Sequence, residues 1–269
     1  MSPSQRTYEL IMHLWPLGKV VNRLGNQPVL RSVLRPYFSA KDNEAIILPV
    51  NEAVRGTESA VLPFALLAPL IERASARAVL NECPCRRGED CQAYPHEPGC
   101  LFLGEGARAI DPDRGRPVGV EEALAHARQA MTLGLVPLIV HAAFDAWLLD
   151  IPYRRMLAIC FCCDCCCTVR HGLRLGPPAF WDTVVRLPGL NVSVSSACTG
   201  CGLCLEVCYV RALSLENGRA RVGEACKGCG RCTRRCPEGA ITFGLDEHEE
   251  VLAGLLERIE ARTNIGLAT

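Results

Sequence analysis

Residues 198–208 read CTGCGLCLEVC, and residues 226–237 read CKGCGRCTRRCP. Cys198, Cys201, Cys204 and Cys208 therefore recur 28 residues later as Cys226, Cys229, Cys232 and Cys236. The offset continues past the cysteines, where ALSL at 212–215 aligns with AITF at 240–243. The segment is an internal repeat, two copies of one unit. Each unit is a cysteine loop, a short turn and a strand of alternating character.

The spacing has a mechanical cause. Three cysteines two residues apart on a tight loop each point a thiolate at a different iron of one cubane. The fourth starts the next segment, points away and serves the other cluster. One [4Fe–4S] cluster then takes Cys198, Cys201, Cys204 and Cys236. The other takes Cys226, Cys229, Cys232 and Cys208. Gly200, Gly202, Gly228 and Gly230 suit backbone turned tightly, with N–H groups brought near sulfur. Structural zinc sites use pairs of Cys-x2-Cys rather than triplets, so zinc is the weaker reading. Over residues 190–245 the segment resembles the bacterial 2[4Fe–4S] ferredoxins. One departure stands out: Tyr209 occupies the place after the fourth cysteine where that family usually has proline.

The remaining ten of the 18 cysteines lie between Cys83 and Cys167 and follow another grammar. They comprise Cys83 and Cys85 (in CPCR), Cys91, Cys100, and the run CFCCDCCC at 160–167. Six cysteines in eight residues exceed what one cubane with four irons uses. The triplet Cys160, Cys163, Cys166 repeats the ferredoxin spacing, and Cys162 with Cys165 offers a competing register. With Cys85, Cys91 and Cys100 they suggest a further iron–sulfur cluster. Cys83, Cys162, Cys165 and Cys167 are additional candidates, Cys83 standing apart because Pro84 restrains its backbone toward an extended shape. Leftover thiols suit a second, non-standard cluster, a persulfide or a redox disulfide.

Strand-like runs are expected at Ala45–Val50, Arg77–Asn81, Val136–His141 and Met156–Ile159. Helical patterns occupy Glu58–Ala74, capped by Thr57, Val120–Thr132, ended by Gly134, and Pro178–Leu187. Alternating strands and helices argue for an α/β layer. Both cysteine groups follow predicted strands, at Arg77–Asn81 and Met156–Ile159. Were those strands parallel neighbours, the two groups would meet at one sheet edge. Asp246–Arg262 reads as a helix that clasps the domains together, with acidic residues in its first turn and Arg258 and Arg262 in its last. The fold class is thus α+β overall: a helical segment at 1–44, a cysteine-rich α/β domain at 45–189, a ferredoxin-like domain at 190–245 and a final helix at 246–269.

The string from Cys83 through Cys91, Gly99–Phe102, Val120–Leu124, Gly134–Val136 and Cys160–Cys167 resembles ferredoxin-fused iron–sulfur proteins of anaerobic bacteria and archaea, over roughly residues 45–245. Phe161 departs from the asparagine that group often has. The resemblance implies iron–sulfur binding and anaerobic redox work, and names no substrate.

Charge and hydropathy exclude other classes. Lys plus Arg is 29 and Asp plus Glu is 29, which gives no basic footprint for nucleic acid. The most apolar stretch, Leu133–Leu149, contains Pro137, His141 and Asp145 and reads as a buried strand followed by a helix, not a membrane span. The start, MSPSQRTYEL, lacks signal-peptide character, and the cysteine usage fits a reducing cytoplasm better than a disulfide scaffold. Arg86 and Arg87 suit either an anionic group or a solvated pair. His96 and His141 read as structural before they read as ligands. The expected function is low-potential one-electron relay through two [4Fe–4S] clusters, to or from an N-terminal cluster and a redox partner protein. A reductase fed by its own ferredoxin domain and a cluster-based redox sensor are the alternatives.

Overall fold

The computed structural model describes residues 5–33, 39–49, 62–163 and 165–263. Thr57, the start of the helix expected at Glu58, and Asp164 lie outside these residues. Among the described residues no helix is long and apolar enough to cross a membrane.

Seven strands form one mixed sheet: β1 (Asn43–Ile47), β2 (Arg77–Leu80), β3 (Leu101–Leu103), β4 (Gly115–Pro117), β5 (Val136–Ala142), β6 (Ala158–Cys162) and β7 (Val184–Arg186), in the order β4-β2-β3-β6-β5-β1-β7. β5 is buried from Val136 to His141, as a strand covered on both faces must be. Strand alternation sorts the apolar residues. Ile46, Val79, Leu101, Ile139, Ile159 and Phe161 face helices 62–73, 120–132 and 248–262. Ala45, Ile47, Leu80, Phe102, Leu138, Val140 and Ala158 face the opposite layer, which holds Tyr8, Met12, Ala146, Leu173 and Phe180. The period of two thus builds a helix–sheet–helix sandwich.

The expected parallel layer is corrected. Every pairing in the sheet is antiparallel except β1 with β7. A parallel crossover needs a dozen or more residues, usually an α-helix. The β2–β3 and β5–β6 connections are long enough, but they hold only the five- and six-residue helices Pro84–Gly88 and Ala143–Leu148, and β2 with β3 and β5 with β6 pair antiparallel. Nor are β2 and β6 neighbours, because β3 lies between them. Two antiparallel steps leave β2 and β6 running the same way. The end of β2, the start of β3 and the end of β6 therefore share one edge of the sheet.

Two further expectations change. The helix expected over 178–187 stops at Trp181, and Val184–Arg186 becomes β7, paired with β1; the β-branched pair Val184–Val185 suits the strand. The strand expected at 156–159 runs from Ala158 to Cys162, into the cysteine run itself. Helix 120–132 ends as expected. Gly134 has φ +78°, Leu135 N–H bonds Ala130 O and Gly134 N–H bonds Met131 O, a Schellman ending.

The repeat gains a strand that the sequence reading missed. β8 (Leu190–Val194) precedes the first cysteine loop, and helix Leu203–Glu206 and β9 (Leu213–Glu216) follow it. β10 (Arg219–Val222), helix Arg231–Arg235 and β11 (Ile241–Leu245) repeat the pattern. β8 pairs with β11 and β10 with β9. Helix His248–Arg262 buries Val251, Leu255 and Ile259 in the sheet's core, and Arg258 forks onto the Glu44 carboxylate of β1 at 2.9 and 2.8 Å.

Candidate iron–sulfur and metal sites

In the C-terminal repeat, Cys198, Cys201, Cys204 and Cys236 line one small cavity together with Gly200 and Gly202. Cys208, Cys226 and Cys229 all lie within electrostatic reach of Cys232. The structure thus gathers the two sets that the spacing groups together. The loops are shaped for close approach. Gly200, Gly202, Gly228 and Gly230 have φ between +70° and +82°, and a Cβ on Gly200 would sit 2.2 Å from Gly218 O. Backbone amides aim at sulfur in matched positions: Ala212 N–H to Cys208 Sγ at 3.2 Å and Ala240 N–H to Cys236 Sγ at 3.3 Å. Such amides stabilise thiolates and tune the potential of a cluster bound to them. The geometry fits the cofactor that the motifs imply.

The ten remaining cysteines divide into two groups. The dividing agent is β6. Cys160 and Cys162 point to one face with Ala158, while Ile159, Phe161 and Cys163 belong to the other. The triplet Cys160, Cys163, Cys166 is therefore not brought together. A period of three works on a loop, and this run begins as a strand.

One group is Cys91, Cys163, Cys165 and Cys166, whose Sγ atoms all lie within 4.8 Å of one another. Cys91 to Cys165 is 3.4 Å, Cys166 to Cys165 is 3.5 Å and Cys165 to Cys163 is 3.8 Å. Cys166 N–H also points at Cys163 Sγ, 3.2 Å away. Burial pushes the Cys163 thiol up to about 12.

The other group is Cys83, Cys85, Cys100, Cys160, Cys162 and Cys167, which line a cavity of about 110 Å³ that Cys163 also borders. Cys83 takes the extended backbone that Pro84 favours (φ −75°, ψ 118°), which puts it at the start of helix Pro84–Gly88. Cys100 leads into β3, and Cys167 stands before helix Thr168–Leu175. Four chain segments thus meet at the shared sheet edge. Cys100 and Cys160 are 3.5 Å apart, Cys167 and Cys162 2.9 Å, and Cys85 Sγ is 3.3 Å from Thr168 Oγ1. Hydrogen bonds from Cys100 and Cys85 hold Cys83 well below the usual thiol range, with Arg86 adding to the effect. Burial, with Cys83 adding to it, pushes the Asp145 carboxyl beside the cavity up to about 6.

Arg86 is neither solvated nor paired with a carboxylate among the described residues. It is fully buried, and its guanidinium donates to Phe161 O at 2.8 Å, to His96 O at 3.1 Å and to Pro98 O. It ties the Cys83–Cys85 turn to β6 from behind the cavity. Arg87, by contrast, pairs with Glu9 and Glu82 near the surface. His141 is buried with Nδ1 2.8 Å from Met156 O, a structural contact. His96 serves through its backbone carbonyl.

Tyr209, the residue at the proline position, connects the two halves. Its hydroxyl bonds Cys229, and Cys162 and Cys167 lie close enough to act on it. Arg170 stacks 5.2 Å from its ring centre. Tyr209, Cys208, Cys226 and Cys229 pack on the same apolar cluster as Cys160 and Cys162. Motif reading flagged Tyr209 only as a departure; its role as a contact depends on the tertiary fold.

Residues 197–240 match the family model described as a 4Fe-4S dicluster domain. No curated protein and no solved structure matches the chain. The match and the cysteine content support iron–sulfur electron transfer.

Proposed function

We propose that the chain is a low-potential electron-transfer protein in which the C-terminal dicluster domain exchanges electrons with an iron–sulfur centre held by the six-cysteine cavity. The ligand sets are Cys198, Cys201, Cys204 and Cys236 for one C-terminal cluster, and Cys226, Cys229, Cys232 and Cys208 for the other. Bound there, [4Fe–4S] clusters supply one-electron transfer, with ferredoxin-type potentials of order −400 mV. Cys83, Cys85, Cys100, Cys160, Cys162 and Cys167 are the N-terminal thiolates.

The observation that carries this reading is the packing of Cys208, Tyr209, Cys226 and Cys229 against the wall that holds Cys160 and Cys162. It leaves Tyr209 as the bridge between the two sites. Three further features support the N-terminal assignment. Protein cores are close-packed, yet these thiols surround open space. That space exceeds the roughly 10–15 Å³ one water needs, so it suits more than a single ion. Among the described residues no carboxylate pairs with the buried Arg86 guanidinium, and thiolates around a cluster would balance its charge.

The test is an anaerobic preparation of the full chain with iron and sulfide counts and an EPR-monitored redox titration. Cys201→Ala should damage one C-terminal cluster and leave the other largely formed. Loss of neither refutes the ligand map. A total of only about eight irons, two cubanes' worth, refutes the N-terminal centre.

The reductase reading is favoured by one observation. A second pocket of about 290 Å³ borders the cavity through Trp15, Phe144 and Thr168. Asn22 Oδ1 and His171 Nε2 lie in residues lining this pocket and find no hydrogen-bond partner among the described residues. A change in the N-terminal EPR signal on adding carbon monoxide supports a reductase; an unchanged signal supports the relay.

A further inference from the structure

The four cysteines left over by the six-cysteine cavity have a geometry of their own. A single ion bonded to four thiolates at about 2.3 Å holds the sulfurs about 3.8 Å apart at the corners of a tetrahedron. The Sγ separations among Cys91, Cys163, Cys165 and Cys166 include 3.4, 3.5 and 3.8 Å, and none exceeds 4.8 Å. A cubane sets each thiolate on a different iron and spreads the four sulfurs wider than one shared ion does. Cys165 and Cys166 are sequence neighbours converging on one point, which also suits a single ion better than separate irons of one cubane.

We propose that Cys91, Cys163, Cys165 and Cys166 bind one thiophilic divalent ion, zinc or iron, in a closed tetrathiolate site distinct from every iron–sulfur cluster of the chain. Four protein ligands leave no open position, so the site is structural. Its location shows what it secures. Cys91 follows helix Pro84–Gly88 at the head of a segment that has no regular secondary structure before β3. Cys163, Cys165 and Cys166 belong to the turn that leaves β6. The ion pins that irregular segment to the β6 turn. Cys85 and Cys100 stand before and after the segment, and Cys162 and Cys167 before and after the turn. The metal thereby positions the six thiols of the cavity group without bonding to them, and Cys163, which borders both sites, joins the two. Binding releases the thiol protons, one from each cysteine still protonated, and changes no oxidation state.

The experiment uses the full chain prepared anaerobically. Elemental analysis with acid-labile sulfide should give one zinc, or one iron beyond those matched by sulfide, per chain. X-ray absorption at the zinc edge, or the Mössbauer signature of mononuclear tetrathiolate iron, separates the two ions and should show sulfur scatterers alone. A Cys163→Ser/Cys166→Ser variant should lose that one ion and keep the C-terminal EPR signals. If that variant does not fold, the wild-type protein still decides through Cys165, whose side chain is exposed. Metal-bound Cys165 should resist N-ethylmaleimide at least tenfold more than after metal removal. The proposal is overturned by the absence of the extra ion, or by Cys165 alkylation at the rate of a free exposed thiol. It is overturned equally if the variant loses a sulfide-containing cluster in place of one ion.

Discussion

Arg86 is a guanidinium out of contact with water, held by three backbone carbonyls from two other segments. Only a planar fork can serve them together. Arg86→Lys keeps the charge and loses the fork, so it should cost about 1–3 kcal/mol, the range for stranding buried polar groups. Urea unfolding of the reduced protein measures this, and a cost below about 0.5 kcal/mol would show that the carbonyls find other donors. Tyr209 acts on a thiolate. Its O–H donation to Cys229 stabilises the more negative, reduced state of a bound cluster. Tyr209→Phe should therefore lower the potential of that cluster by roughly 20–60 mV, up to a factor of ten in a one-electron equilibrium. An upward shift in an EPR-monitored titration, or none, would remove Tyr209 from the cluster's surroundings.

At the scale of elements, two periodicities compete for the cysteine run. Spacing alone favours Cys160 with Cys163 and Cys166. The strand β6 enforces a period of two through Cys162 and sends Cys160 and Cys163 to opposite faces. The ferredoxin loops were legible because glycine at positive φ and the triplet spacing are local properties. β8 escaped notice, although the alternating LNVSV at 190–194 carries a strand signal. The final helix was legible from its charges and apolar spacing, but its anchor was not, because Glu44 and Arg258 are 214 residues apart. Glu44 is almost wholly buried and accepts from Arg258 and Arg262, whose partly exposed side chains moderate the gain. Glu44→Gln should loosen the helix by about 1–2 kcal/mol, raising hydrogen exchange over residues 248–262 by roughly 5–30-fold. Exchange that changes equally throughout the chain would mean that the helix does not open as its own unit.

In the whole molecule, the 18 cysteines divide as eight, six and four. The grouping of the eight was readable from spacing, since both proposed sets lie within one repeat. The division of the other ten depends on sheet order, which brings Cys83, Cys100 and Cys160 to one edge from segments up to about 80 residues apart. No local pattern encodes that juxtaposition. The pseudo-symmetry of the repeat pairs β8 with β11 and β9 with β10. It turns one cysteine loop outward, where Cys201 is exposed, and the other inward onto the cavity wall. An outward cluster suits exchange with a partner protein, and an inward one suits exchange with the N-terminal domain. The most direct test is Mössbauer spectroscopy of the anaerobic full chain, enriched in the Mössbauer-active iron isotope, with iron and sulfide counted per chain. The account predicts a majority of iron in [4Fe–4S] form, well above the roughly eight irons of the dicluster domain. Iron at or below that number, or iron only in mononuclear form, would contradict it.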